Sequence, residues 1–389
     1  MTFGIAMPAQ LRVYGAFFVY SFCMGSIYPR LPDIQHAMGV AEGALGLALI
    51  GAALGTLISL TFAGPLIEKF GHRRTLLTVL PLLAVFYAIA VWANSPLALF
   101  VLLFPVGLAI GVIEVIINLE ADRVEHAIGH RIMNRAHGFW SIGFFSSGMV
   151  GAFIAQTGLS PQWHLMLMVP LILIGTLLVL GRFEPAEHRT GGNIDAGPRF
   201  ARPTLAIGIL VCVTMSAMIM EGAGIDWSAI YMRDVFGAEP FLAGFAVALG
   251  AGVQAATRFV ADRFVDRYNP VVVARTLFTI LGIGALLAFF ATSPWMALAG
   301  FALMGCGTSA IFPLAMSAAA QRTDRPAAVN VAALAQISFV AFLLGPPLLG
   351  FIAEHFGIRW AFGIGLPLVV LSLFAASALA PRSGKVKLA

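Results

Sequence analysis

LALFVLLFPVGLAIGVIEVIINLEA, residues 97–121, decides the class of this protein. As a helix rising 1.5 Å per residue it would extend roughly 37 Å, more than the ~30 Å of a bilayer's hydrocarbon. Its first ionisable residue is Glu114, and the next is Glu120. It has neither the polar stripe of a soluble amphipathic helix nor the alternation of a barrel strand. Lipid leaves helix as the state in which every backbone group is bonded within the segment.

Comparable runs fill the chain on both sides. They lie at 11–29, 44–65, 75–93, 97–121, 136–156 and 164–181, then at 204–231, 241–261, 271–292, 293–320, 327–352 and 361–380. The expected architecture is an all-α membrane protein of about twelve transmembrane helices. Composition agrees: 60% of the 389 residues are hydrophobic and 11% charged, with mean hydropathy +0.92. A soluble domain has about a quarter of its residues charged. The first run is too long for a removable signal peptide and lacks a small-residue cleavage site, so it is expected to be the first span.

Basic residues set the orientation. With both termini in the cytosol, the short outer loops hold Arg30, Arg233 and Arg359, and the inner loops hold Lys69, Arg73, Arg74, Arg123, Arg131, Arg135, the arginines of 182–202, Arg263, Arg267, Arg322 and Arg325. That is a positive-inside pattern, expected of a bacterial inner-membrane protein. The net charge of +5 therefore reports topology. No basic cluster with interleaved aromatics suggests nucleic acid. Cys23, Cys212 and Cys306 sit in separate runs without metal-ligand spacing, so no disulfide, metal or cofactor is expected.

The longest polar stretch, 182–203, is rich in Gly, Pro and charge and reads as a cytosolic linker. It separates a six-helix bundle at 1–182 from another at 204–389, with 183–203 between them. The halves repeat weakly. GPLIEKFGHRR at 64–74 has a counterpart in RFVADRFVDRY at 258–268, aligning Glu68 with Asp262; Gly151 aligns with Gly350, and Gly158 with Gly357. Paired six-helix repeats with a midplane site between them are a transporter plan.

The first of these loops resembles the G-x-L-x-D-R/K-x-G-R-R/K motif of the major facilitator superfamily. Gly64, Leu66, Lys69, Gly71 and Arg73 match, Glu68 stands for the usual Asp and His72 for the first Arg; the second copy keeps Asp262 and Arg263. The resemblance spans essentially the whole chain and implies two pseudo-symmetric six-helix bundles. It also implies that the motif braces a cytoplasmic gate. INLEADRVE at 117–125, RAHGFWSIG at 135–143, EGAGIDWSAIYMR at 221–233 and IFPLAMS at 311–317 together resemble the MosC-like branch, associated with rhizopine, an amino-inositol compound. GVIEVIIN at 111–118 is similar to the fourth span of the fucose–proton symporter. Glu114 and Asn118 match the acid and amide that there serve sugar and proton. The first span differs from that symporter, having no acid between Tyr14 and Pro29.

The residues mark the candidate site independently. A charge at mid-membrane costs about 2.5–3.5 kcal/mol, so it normally faces a cavity or partner. Intramembrane acids are confined to the fourth and seventh runs: Glu114, Glu221 and Asp226. Spans one, four, seven and ten are expected to line the pathway, with every third span facing lipid. Glu114 and Asn118 share a helix face, fit to carry a proton and to bond hydroxyls. Glu221 and Asp226 point roughly 140° apart and cannot form a carboxylate pair. Trp227 is a candidate sugar platform. His137 is a candidate proton relay, Trp140 a cavity aromatic on the same face, and Tyr20 an aromatic candidate on span one. Gln254, Gln336 and Asn330 are read as packing groups, and Gly51-x-x-x-Gly55 as a close-packing face.

No GxxxxGK[ST], HExxH or GxSxG motif is present, so ATP-driven pumping and membrane hydrolysis lack support. The expected activity is proton-coupled symport of a sugar, polyol or amino-inositol-like solute. The alternative is a proton-linked exporter of metabolites or drugs. A monomer is expected.

Overall fold

The computed structural model describes residues 4, 5, 7–130, 132–185 and 202–380; at Pro65, Glu68, Asn134, Asp262, Arg263, Asp266, Ala327, Ala328 and Phe342 it describes the backbone only. The described residues form helices and connecting turns, without strands. The first bundle comprises α1 (Ala9–Gly25), the short α2 (Leu31–Met38), α3 (Glu42–Phe70), α4 (His72–Ala90), α5 (Pro96–Ile128), α6 (Met133–Gln156) and α7 (Pro161–Leu180). The second comprises α8 (Leu205–Phe236), α9 (Pro240–Arg267), α10 (Pro270–Phe289), α11 (Pro294–Thr308), α12 (Ile311–Ala320), α13 (Ala327–Phe356), α14 (Arg359–Gly363) and α15 (Gly365–Ala375). α11 with α12 forms one span, as does α14 with α15, and 11 spans meet the length and hydropathy of a membrane crossing. α1 is the twelfth. Its 17 residues cover only about 25 Å as α-helix, and the chain continues through Ser26 and Ile27 into a 3-10 turn at Tyr28–Arg30.

Local chemistry sets the helix starts. Side-chain oxygens of Ser95, Ser160, Thr204, Asn269 and Ser293 accept from backbone N–H groups in the first turns of α5, α7, α8, α10 and α11. Each satisfies a donor that the helix leaves orphaned. Proline follows the cap in α5, α7, α10 and α11, where its missing N–H costs nothing. α13 runs as one helix through Pro346 and Pro347.

The closest packing joins α3 to α5. A Cβ placed at Gly51, Gly55 or Gly107 would fall inside the van der Waals envelope of Phe100, Phe104 or Ala52 backbone atoms, and Thr56 Oγ1 donates to the Gly107 carbonyl at 3.2 Å. Without a hydrophobic drive between helices in lipid, such backbone approach carries the association. Gly107→Ala is therefore expected to destabilise the protein by about 1–3 kcal/mol through overpacking. Gly64→Ala, with open space around it, should be near neutral. Thermal unfolding of the two variants in the same detergent checks this, and equal midpoints would contradict it.

α4, α7, α10 and α15 present large apolar side chains outward, among them Ile89, Leu171, Ile174, Leu286 and Phe374. The bundles meet along α6–α9 and α3–α13, and around α2. Gly43 N donates to Glu354 Oε2 at 3.1 Å, Arg233 donates to the Pro32 carbonyl and to Gln35 Oε1 at 2.7 Å each, and Phe241 N donates to Gln156 Oε1 at 3.0 Å. Gly46 abuts Pro346, Gly350 abuts Glu42, and Gly244 abuts Ala152 and Pro29. This α2 end is closed. The opposite end, the motif end, carries the 64–74 turn.

Candidate functional site

Glu114 and Asn118 lie one turn apart on α5, both half-buried, facing α1. Tyr20, fully buried on α1, donates its hydroxyl to Glu114 Oε1 at 3.0 Å. Asn118 Nδ2 donates to Oε2 at 3.0 Å and to the Glu114 backbone carbonyl at 2.9 Å. Each carboxylate oxygen thus holds one donor. Three of the residues singled out in the sequence come together here.

A second cluster centres on Arg258, an arginine deep in α9 that the sequence reading placed in a loop repeat. Its cause lies in α11 and α12. Pro313 has no N–H to return to the carbonyl four residues earlier, at Ser309, and the span breaks there. Arg258 Nε donates to that Ser309 carbonyl at 3.0 Å. Nη1 donates to Ser141 Oγ of α6 at 3.2 Å, and Nη2 lies 4.0 Å from Glu221 Oε1 of α8. One guanidinium therefore ties a freed carbonyl, an acid and the other bundle. A span-ten proline, whose orphaned carbonyl needs a donor, was the sequence signal for it.

Beside this cluster is a cavity of about 30 Å³, lined by Trp140 and Phe144 of α6, Glu221 and Gly224 of α8, Gly250 and Gln254 of α9, and Gly305 and Thr308 of α11 among others. It is room for little more than water. Gln254 Nε2 donates to Thr308 Oγ1 at 3.2 Å, so this amide is a packing group here. Trp140 stacks on Phe144 with centroids 5.4 Å apart, and its indole N–H is buried without a partner. Spans one and four were expected to line the pathway. They do not line this cavity, whose walls are spans five, seven, eight and ten. Glycines at 224 and 250 leave the room there, and Gly305 lets α11 close against the Gly250 backbone.

The remaining candidates scatter. His137 packs edge-on against Phe17 with centroids 5.1 Å apart, and its carbonyl accepts from Ser141 Oγ. Asp226 is buried away from Glu221, toward Tyr28 and Tyr87 of the first bundle. Trp227, the candidate sugar platform, is fully enclosed in this structure. Gly350 of α13 lacks a Cβ and lets that helix close against the indole. Asn330 Nδ2 donates to Asp324 Oδ1 at 3.0 Å in the turn before α13, where the Arg322 hydrogen bonds hold the Asp324 carboxyl below its usual range.

At the motif end, Gly71 turns the chain with φ +75°, a conformation that favours glycine. Gly64 has open space around it, Lys69 Nζ lies 5.4 Å from the Phe70 ring centroid, and Arg73 Nη2 donates to the Gly181 carbonyl at 2.6 Å, holding α4 to the end of α7. The side chains of Glu68, Asp262 and Arg263 lie outside the described residues. His72 was seen only as a departure from the motif. It is buried against Glu120, and Arg123 Nη1 lies 3.2 Å from Glu120 Oε1 and 3.3 Å from His72 Nδ1.

An uncharacterised MFS-type transporter of Yersinia pestis is 32% identical over 97% of each chain. The membrane protein MosC of Rhizobium meliloti is 26% identical over 88% of this chain and 83% of its own. Among solved structures, a point mutant of the nucleoside transporter NupG superposes with TM-score 0.76 at 14% identity, over 96% of this chain and 100% of its own. A D-xylose–proton symporter gives 0.71 at 12%, over 95% and 96% of the two chains. The E. coli fucose–proton symporter gives 0.61 at 19%, over 95% and 98%. The sequence matches the Major Facilitator Superfamily over residues 13–220 and 209–388. This chain belongs to the Major Facilitator Superfamily, a membrane transporter and not an enzyme.

Proposed function

We propose that this transporter carries a small hydroxylated or aminated solute, of the sugar, polyol or amino-inositol class, together with a proton that resides on Glu114. The observation that carries this reading is the hydrogen bonding of Glu114, with Tyr20 on one carboxylate oxygen and Asn118 on the other. A proton arriving at Oε2 displaces the Asn118 N–H from that oxygen. The amide is then free to bond a hydroxyl or amine, so proton and solute favour each other's binding. Structural neighbours named as proton symporters of fucose and xylose support this chemistry. Arg258 and Glu221 supply charge from the second bundle, and Trp140 supplies an apolar wall. The bundles 1–182 and 204–389, linked through 183–203, move as units, with the motif residues Gly64 to Arg73 and the Asp262–Arg263 pair bracing the gate.

Uptake into proteoliposomes from a panel of sugars, inositols and amino-inositols tests the proposal, with and without a pH gradient. Accumulation of one class, dependent on the gradient, is expected. Efflux-only transport of apolar compounds would overturn it.

The motif end and both termini face the cytosol of a bacterial inner membrane, by the distribution of Arg and Lys. A single cysteine placed at Asn94 or Asp234, in a background without Cys23, Cys212 and Cys306, should react with an impermeant thiol reagent outside intact cells. One placed at Thr190 in the linker should react only after lysis. External labelling at 190 would reverse the orientation.

A further inference from the structure

We infer that the seam between α9 and α10 is a binding site for one anionic phospholipid, its acyl chain in the seam and its headgroup at the motif end. Both helices pack closely on α11 but scarcely touch one another. This leaves a trough of about 530 Å³ with Cys306 of α11 at its floor. Val260, Phe264 and Tyr268 form one wall, at the spacing of a single helix face, and Val272 and Ile280 form the other. The trough runs from Thr257 to Tyr268, about 16 Å along the α9 axis. That is close to the depth of one leaflet, half of ~30 Å. An apolar slot of leaflet depth, open to the side of a membrane-embedded helix pair, has the shape of a lipid tail. An unfilled void would leave its lining without contacts.

The mouth selects the headgroup. The Arg267 guanidinium lies 5.6 Å from the Tyr268 ring centroid, so the aromatic at the rim carries a cation above it. Arg275, in the second turn of α10, is exposed three residues on from the wall residue Val272, at the edge of the trough. α10 also begins here, and its N-terminal partial positive charge adds to two fixed cations. Phosphate of an anionic lipid meets these groups while its tail descends between Phe264 and Ile280. A zwitterionic lipid offers the same tail with less to hold it.

The unmodified protein, reconstituted in vesicles of phosphatidylethanolamine and phosphatidylglycerol, provides the test. A phosphatidylglycerol bearing a photoreactive diazirine near its tail end should label peptides from 257–280 above all others. Excess unlabelled phosphatidylglycerol should compete at least fivefold better than phosphatidylethanolamine. Arg267→Gln with Arg275→Gln should abolish that preference, and Val272→Trp at the mouth should reduce labelling at least fivefold. All three residues are exposed, so the variants should fold. Labelling spread evenly over the outward faces of α4, α7 and α15 would overturn the site, and equal competition by the two lipids would overturn its choice of an anionic headgroup. Retention of a detergent or an apolar solute at the trough, undisplaced by either lipid, would also refute it.

Discussion

Arg258→Leu is expected to lower stability by about 2–4 kcal/mol and to reduce transport at least tenfold. Two losses combine. The Ser309 carbonyl, orphaned by Pro313, loses a charged donor, a bond contributing about 1.5–3 kcal/mol. Glu221 loses its neighbouring cation. Breaking a fully buried pair costs about 3–5 kcal/mol. Here both side chains retain about a quarter of their exposure and the atoms stand 4.0 Å apart, so water screens much of that. The carbonyl bond therefore dominates. Glu221→Gln should consequently be milder than Arg258→Leu, because it leaves the Ser309 and Ser141 bonds in place. Arg258→Lys should fail to restore function, since one ammonium cannot reach the sites that the guanidinium spans. Thermal unfolding of the single and double variants gives the coupling energy directly. An Arg258→Leu protein with a wild-type midpoint would show that the carbonyl is satisfied some other way.

Arg258 also shows where the residues alone stop being legible. The apolar runs announce membrane helices because hydrocarbon tolerates little else, and the expected spans correspond to helices along the whole chain. Their ends are less legible: α9 continues to Arg267, so a charged stretch read as a loop repeat is largely helix, with its first arginine pointing inward. The interruptions at Ser309 and near Ile364 follow small residues and a proline, whose effect depends on what packs alongside. Trp227 looked like a ligand platform on the strength of its type and depth. Its enclosure is set by Gly350, a residue more than a hundred positions away, and no local pattern reports that contact. Glu114 and Asn118 were legible because four residues on a helix fix their relation without help from the fold. Tyr20 as the third member was not, since its partner lies on another span.

In the proposed mechanism the half-buried acid–amide pair links two kinds of binding. In the bonded state, Asn118 is occupied by Glu114 itself. Asn118→Ala should weaken solute binding by about 0.5–1.5 kcal/mol per lost bond, without removing a titrating group. The two clusters stand on different bundles, Glu114 on α5 and Arg258 on α9, and the α2 end is closed beside a cavity with room for little more than water. Solute must enter when those bundles part.

Glu114→Gln tests the central claim most directly. The amide keeps the shape of the protonated acid and its oxygen can still accept from Tyr20, but it cannot titrate. In proteoliposomes the variant should exchange solute down its gradient at a measurable rate, and a pH gradient should drive no accumulation. A well-folded Glu114→Gln protein that concentrates solute at the wild-type rate would contradict the account.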